Sequence, residues 1–298
     1  MLVTPLSLCC GVGSPAFAIS PLWLRASAIS PDGQTICFAY KGDLFTVPAA
    51  GGQARQLTSN AAWDGTPVWS PSGKKIAFAS EREGSLDIYL VDANGGGLTR
   101  LTTHSGVETP LVFLSEEELL FTSASLPTAE NMQFPSGMYT HLFKVRTHAG
   151  ARPQRFSDVT AGNVTLGPNG SLIYDAIKGY EDPMRKHHTS SITRELWQLS
   201  FSSATGQRVK QQRPRPTEEF QQLTANACED RCPVYVPQSQ TLYWLSEQNG
   251  TFNVWSRKVE EEGSAKRLTN FKDMPVRYLT AAADGTLCFS WDGELYTM

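Results

Sequence analysis

Along this chain, short runs alternate between apolar and polar positions, and one such run returns six times. An aliphatic-x-aromatic triplet occurs at Ile36-Cys37-Phe38, Ile76-Ala77-Phe78, Leu119-Leu120-Phe121, Leu172-Ile173-Tyr174, Leu242-Tyr243-Trp244 and Leu287-Cys288-Phe289. The six aromatic positions are separated by 40, 43, 53, 70 and 45 residues. A second element follows each triplet: Asp43-Leu44-Phe45-Thr46-Val47, Asp87-Ile88-Tyr89-Leu90-Val91, His141-Leu142-Phe143-Lys144-Val145, Glu195-Leu196-Trp197-Gln198-Leu199, Asn253-Val254-Trp255-Ser256-Arg257 and Glu294-Leu295-Tyr296-Thr297-Met298. Alternation with a period of two over such short runs predicts strands, because successive side chains of a strand point to opposite faces.

Turn residues punctuate these strands in phase. Pro31-Asp32-Gly33, Pro71-Ser72-Gly73, Pro168-Asn169-Gly170 and Ala283-Asp284-Gly285 precede triplets, with glycine supplying the positive φ of a tight hairpin. Gly51-Gly52 and Gly95-Gly96 follow the second element, and units close on Gln56-Leu57-Thr58, Arg100-Leu101-Thr102, Arg155-Phe156-Ser157, Gln222-Leu223-Thr224 or Arg267-Leu268-Thr269. Four strands in each unit, repeating at about 40–45 residues, match a β-propeller blade. The expected fold is all-β: a six-bladed β-propeller of four-stranded antiparallel blades over residues 19–298, with blades near 25–58, 59–102, 103–157, 158–224, 225–269 and 270–298. The last blade is expected to be incomplete, since its third strand ends at Met298. Either the segment near Pro21-Leu22-Trp23-Leu24 supplies the outer strand, or the chain is the front piece of a longer polypeptide. The second reading is favoured because an unpaired edge strand is normally avoided.

Composition narrows the function classes. Twenty-six Lys and Arg against 29 Asp and Glu give a net charge of −3, which argues against nucleic acid as a partner, because phosphate binding needs clustered positive charge. With 40% apolar and 18% charged residues the chain can bury a large core, and disorder is excluded. No run long enough for a membrane-spanning helix occurs. Residues 1–18 read as the remnant of an export signal, with a short apolar stretch from Leu2 to Cys10 and an A-x-A pattern at Ala16-Phe17-Ala18. An exported, periplasmic location is the expectation. Cys228 and Cys232 are spaced to close a small loop disulfide in an oxidising compartment, whereas Cys37 and Cys288 stand where the second blade has Ala77, as small apolar fillers. The sequons at Asn169 and Asn249 coincide with Asn-Gly turn dipeptides.

Candidate chemistry concentrates on one face. In an up-and-down blade the loops between strands two and three emerge on the same side as the connections between blades. Most of these loops are minimal, but in blades 3 and 4 they run over about 123–140 and 178–194, and loops of that length are usually functional or disordered. The second contains Arg185, Lys186, His187 and His188. Three readings stand side by side: the two histidines as metal ligands, which adjacent side chains rarely satisfy; a contact patch for a partner domain or a peptide carboxylate; or a solvated, self-paired ionic loop. Trp63-Asp64, His104 to Glu108 and Glu229-Asp230-Arg231 share this face, which makes Asp64 and Arg231 further contact candidates. No G-x-S-x-G elbow, P-loop, H-E-x-x-H or EF-hand loop is present, and the reading assigns no catalytic residue, cofactor or metal.

Ser30-Pro31-Asp32-Gly33 with Ile36-x-Phe38, and Val68-Trp69-Ser70-Pro71 with Ile76-Ala77-Phe78-Ala79-Ser80-x-Arg82-x-Gly84, resemble the WD40-like repeats of TolB and tricorn-protease propellers. Lys178-Gly-Tyr-Glu-Asp-Pro183, the run from Arg185 to Arg194, and Asp292-Gly-Glu-Leu-Tyr-Thr-Met298 resemble more narrowly the N-terminal propeller of exported, tricorn-like members of the C-terminal-processing serine peptidases. That resemblance implies a non-catalytic module that guides or filters peptides or docks the catalytic part, with a PDZ domain and the peptidase centre downstream as partners. A TolB-like envelope scaffold that binds proteins is the alternative it leaves open. A self-contained propeller hydrolase would need a polar cluster in the central channel.

Overall fold

The computed structural model describes residues 4–5, 23–124, 140–179, 189–202, 217–259 and 265–298. They form six four-stranded antiparallel sheets; five are built outwards in chain order from an inner strand, and the sixth takes its outermost strand from the start of the chain. The inner strands are Arg25–Ile29, Asp64–Trp69, Glu108–Phe113, Ala161–Leu166, Asp230–Val236 and Arg277–Ala281. The triplets all lie in the second strands and the second elements in the third, as the alternation predicts. Pro168–Gly170 and Pro237–Ser239 form single 3-10 turns, and no α-helix occurs among the described residues.

The core lies between the blades, and it explains the triplet. Ile36 and Phe38 pack against Ala282, Cys288 and Leu295 of blade 6, while Cys37, between them, faces Ile76 and Phe78 of blade 2. Ala77 in turn meets Leu119 and Phe121 of blade 3. The first and third residues of each triplet therefore face the preceding blade, and the middle one faces the next. A small middle residue leaves room for the aromatic ring that the next blade sends back, so Cys37, Ala77 and Cys288 are fully buried fillers. Burial pushes the Cys288 thiol up to about 12, so it is not ionised at neutral pH.

Two hydrogen-bond devices repeat around the ring. The closing threonines Thr58, Thr102, Thr224 and Thr269 accept, through Oγ1, the main-chain N–H of Leu44, Ile88, Leu196 and Val254 at 2.9–3.0 Å. The residue opening or just ahead of an inner strand donates its N–H to the loop between strands two and three of the preceding blade: Asp64 to Gly42 (2.8 Å), Glu108 to Leu86 (2.9 Å), Asp230 to Arg194 (2.9 Å) and Val276 to Phe252 (3.0 Å). Leu24 donates in the same way to Gly293 of blade 6 at 2.9 Å, and this bond closes the ring.

Blade 6 contributes three strands, Arg277–Ala281, Leu287–Trp291 and Glu294–Thr297. The two-residue strand Thr4–Pro5 pairs along its outer edge, Thr4 with Thr297 and Pro5 with Tyr296. The segment around Leu24 thus serves the innermost seam and not the outer edge. The loop disulfide that the cysteine spacing allows does not form: Cys228 and Cys232 are separate free thiols. Asp230 and Arg231 lie in the extended inner strand. Asn169 adopts φ 56° and Gly250 φ 95°, which confirms both as turn positions.

Candidate functional site

The loop face of the ring gathers the buried charge of the molecule around the mouth of the central channel. Asp64, Glu108 and Asp230 open three of the inner strands and are almost completely buried. Asp64 accepts both its hydrogen bonds from Arg82 Nη2, at 2.9 and 3.0 Å, and that guanidinium lies 4.6 Å from the centre of the Tyr89 ring. Glu108 accepts the Ser123 hydroxyl at 3.3 Å, and burial raises its pKa above the usual carboxylate range. Asp230 accepts Asn226 Nδ2 at 2.6 Å and is raised for the same reason.

Between blades 4 and 5 the charges form a network. Asp175, fully buried, accepts Arg194 Nη1 (3.0 Å), Asn163 Nδ2 (2.7 Å) and the main-chain N–H groups of Asn163 (3.3 Å) and Cys232 (3.0 Å). Arg194 Nε lies 3.7 Å from Glu229, which also pairs with Arg231. Burial opposes the charge on Arg194, but Asp175 and Glu229 more than offset it and hold the guanidinium above its ordinary value. Gly162 is required beside this network, because a Cβ there would overlap both Arg194 Nη1 and Asp175 Oδ1. Gly65 has the same part in blade 2, where the Trp63 indole occupies the space of a Cβ.

The register of the inner strands accounts for these contacts. All six inner strands carry a bulge. In four blades a non-glycine residue sits at positive φ within it: Ala26 (49°), Thr66 (48°), Cys232 (51°) and Tyr278 (56°). The residue just ahead of these positions stands six places before the following turn: Arg25 before Pro31, Gly65 before Pro71, Arg231 before Pro237 and Arg277 before Ala283, with Gly162 before Pro168 in blade 4. Arginine fills this position in blades 5, 6 and 1, three consecutive blades. Burial first, and then the nearby Arg231 and Arg25 charges, lower the pKa of Arg277. The polar channel mouth was not read from the sequence, although this fixed spacing was the signal for it.

Of the contact candidates, Asp64 and Arg231 lie on the expected face but are buried in the internal pairs with Arg82 and Glu229. Arg185, Lys186, His187 and His188 lie outside the described residues. Among the described residues no three His, Cys, Asp or Glu side chains converge as a metal site, and no helix is long and apolar enough to cross a membrane. The ring nitrogens of His104, His141 and His148 bond main-chain groups of Gly106, Asp158 and Ala149. A rim cavity of about 520 Å³ on the opposite face is lined by Arg146, His148 and Arg152, with Lys144 held by Glu118 at 3.1 Å.

Comparison with known proteins agrees with this architecture. The chain is 26% identical over 285 residues to a tricorn protease homolog from Saccharolobus solfataricus, covering 92% of this chain and 23% of that protein. It is 30% identical over 193 residues to tricorn protease homolog 1 from Streptomyces coelicolor, covering 63% of this chain and 16% of the relative. The chain therefore spans less than a quarter of the length of these relatives. Among solved structures, tricorn protease superposes with a TM-score of 0.71 at 20% identity, over 94% of this chain and 25% of that one. TolB from Acinetobacter baumannii superposes with a TM-score of 0.57 at 15% identity, over 91% of this chain and 62% of that one. Residues 21–298 match the tricorn protease N-terminal beta propeller domain, and the chain belongs to that family.

Proposed function

We propose that this propeller is the non-catalytic module of a tricorn-like serine peptidase that acts outside the cytoplasm, where it guides or filters peptides or docks the catalytic part. The observation that carries the reading is the channel mouth: charged and polar side chains from blades 4, 5, 6 and 1 converge there, on a domain of the tricorn N-terminal propeller family. Family membership and the apolar stretch ahead of Ala16-Phe17-Ala18 support the peptidase context and the export.

The test is to titrate the purified 298-residue chain with a fluorescent pool of short casein peptides and, separately, with folded casein-free protein mixtures. Saturable binding of peptides without cleavage is the expected result. Turnover that a serine-directed reagent abolishes would overturn the non-catalytic assignment. Binding of folded proteins with indifference to peptides would favour the TolB-like scaffold.

A further inference from the structure

We infer that the seam between blades 6 and 1 carries a pocket for a peptide carboxylate that has an aromatic ring beside it. The inference rests on the peptide-binding reading above and gives that reading a site. The pocket has a volume of about 160 Å³ and opens on the loop face. A cavity of about 150 Å³ takes one benzene, so this one holds a single ring-sized group and not a folded element.

Its lining combines two chemistries. Trp23, Met274 and Trp291 make the apolar wall, and Arg25, Arg277 and Tyr278 line the same space. Asp292 contributes one carboxylate, so two guanidiniums and one acid leave the lining at +1. The Arg25 guanidinium lies 5.7 Å from the Trp23 ring centre, and among the described residues no carboxylate forms an ion pair with it. Trp291 is held in place by its Nε1–H bond to the Met274 carbonyl (3.0 Å) and by stacking on Phe271 at 4.3 Å. Trp23 is 61% exposed, an unusual setting for an indole.

The backbone adds a third observation. Tyr278 (φ 56°) shares the bulge conformation repeated in blades 1, 2 and 5, but Trp23 (φ 74°) stands in the left-handed region outside any bulge, a region that bulky residues rarely adopt. Such outliers cluster at ligand clamps, where surrounding structure over-determines them. A flat guanidinium presents a fork suited to a carboxylate, and the indoles offer faces on which a neighbouring ring stacks. Carboxylate and ring next to each other in one ligand satisfy both halves of the pocket.

Two kinds of peptide supply that pair: an internal Asp or Glu adjacent to Phe or Tyr, or a chain ending in Phe with a free terminus. The experiment uses fluorescein-labelled hexapeptides of both kinds, the internal one capped at both ends and the terminal one with an amidated control. Anisotropy titrations compare the parent chain with Arg25→Met, Arg277→Met and the rim control Arg152→Met. Near-ultraviolet circular dichroism establishes that each variant is folded, and the exposed position of Arg25 keeps the test open should Arg277→Met not fold. Loss of a charge-assisted hydrogen bond is expected to weaken binding roughly tenfold or more in Arg25→Met, with less than about twofold change in the rim control. Dependence on Arg25 with the capped peptide identifies a side-chain carboxylate, and with the free-terminus peptide alone a terminal one. Peptides that bind the parent, Arg25→Met and Arg277→Met equally overturn the pocket while peptide binding stands. If no peptide binds, both readings fall.

Discussion

Replacing Asp175 is the sharpest test of how the channel mouth is held together. Its two oxygens accept four hydrogen bonds, from Arg194, from the side chain and main chain of Asn163, and from the main chain of Cys232 in the next blade. Asp175→Ala leaves a largely buried guanidinium with only the more distant Glu229 at 3.7 Å, and strands the Cys232 N–H without its acceptor. Removing one partner of a buried ion pair costs roughly 3–5 kcal/mol, and an orphaned buried N–H about 1–3 kcal/mol. These penalties overlap because water and side chains relax into the vacated space, so the expected loss is about 4 kcal/mol. The double variant Asp175→Leu with Arg194→Met removes both charges and should recover most of that loss, since an apolar pair of similar volume often matches a buried ion pair. Urea unfolding followed by tryptophan fluorescence, with m-values compared across parent, single and double variants, gives the coupling energy. A loss below about 1 kcal/mol for Asp175→Ala, or a double variant no more stable than that single one, would refute the reasoning.

Further outcomes follow from the same geometry. Gly162→Ala should destabilise by roughly 1–3 kcal/mol, because its methyl displaces the Arg194–Asp175 pair; unchanged urea midpoints would mean that the pair shifts freely. Ala77→Leu should overpack against Phe121 by roughly 1–3 kcal/mol, while Ile173→Ala should leave a cavity costing about 2–5 kcal/mol. Equal tolerance of both substitutions would contradict the size rule for the triplet. Glu108 binds its proton more tightly when folded, because burial raises its pKa above the unfolded value of roughly 4.3. Its contribution is therefore most favourable at acid pH and is lost as pH rises through the folded value. Glu108→Gln should gain stability over the parent between pH 4.5 and 7.5, measured by urea midpoints at both ends, and parallel profiles would show that the carboxyl does not titrate differently on folding.

The blades were legible in the sequence because everything that makes a blade is local. Ile36-Cys37-Phe38 declares a strand buried on both sides, Pro31-Asp32-Gly33 its hairpin, and Thr58 the closing cap that accepts the Leu44 N–H. Even the small size of Cys37 and Cys288 was readable as packing, although its cause, the ring arriving from the next blade, appears only once the blades are set side by side. The channel mouth was not legible for the opposite reason. Arg25 and Arg277 lie 252 residues apart and meet only when the last blade closes on the first. Asp64 and Arg231 looked like free contact residues because a single sequence does not reveal that Arg82 and Glu229 engage them. Cys232 is a related case: its spacing from Cys228 suggests a partner, but the bulge commits its backbone N–H to Asp175 and both thiols are free.

The bond from Leu24 to Gly293 joins the two extremities of a circle that no covalent link completes. Trp23 and Trp291 stand on opposite sides of that junction, so a guest seated between them is also a latch. Whatever binds there only while the circle is shut adds its own free energy to the work of springing it, about 2.7 kcal/mol at a hundredfold excess over Kd. Cargo and scaffold would then be read in one melting curve: the occupied ring resists heat, and the vacant one parts first at its joint.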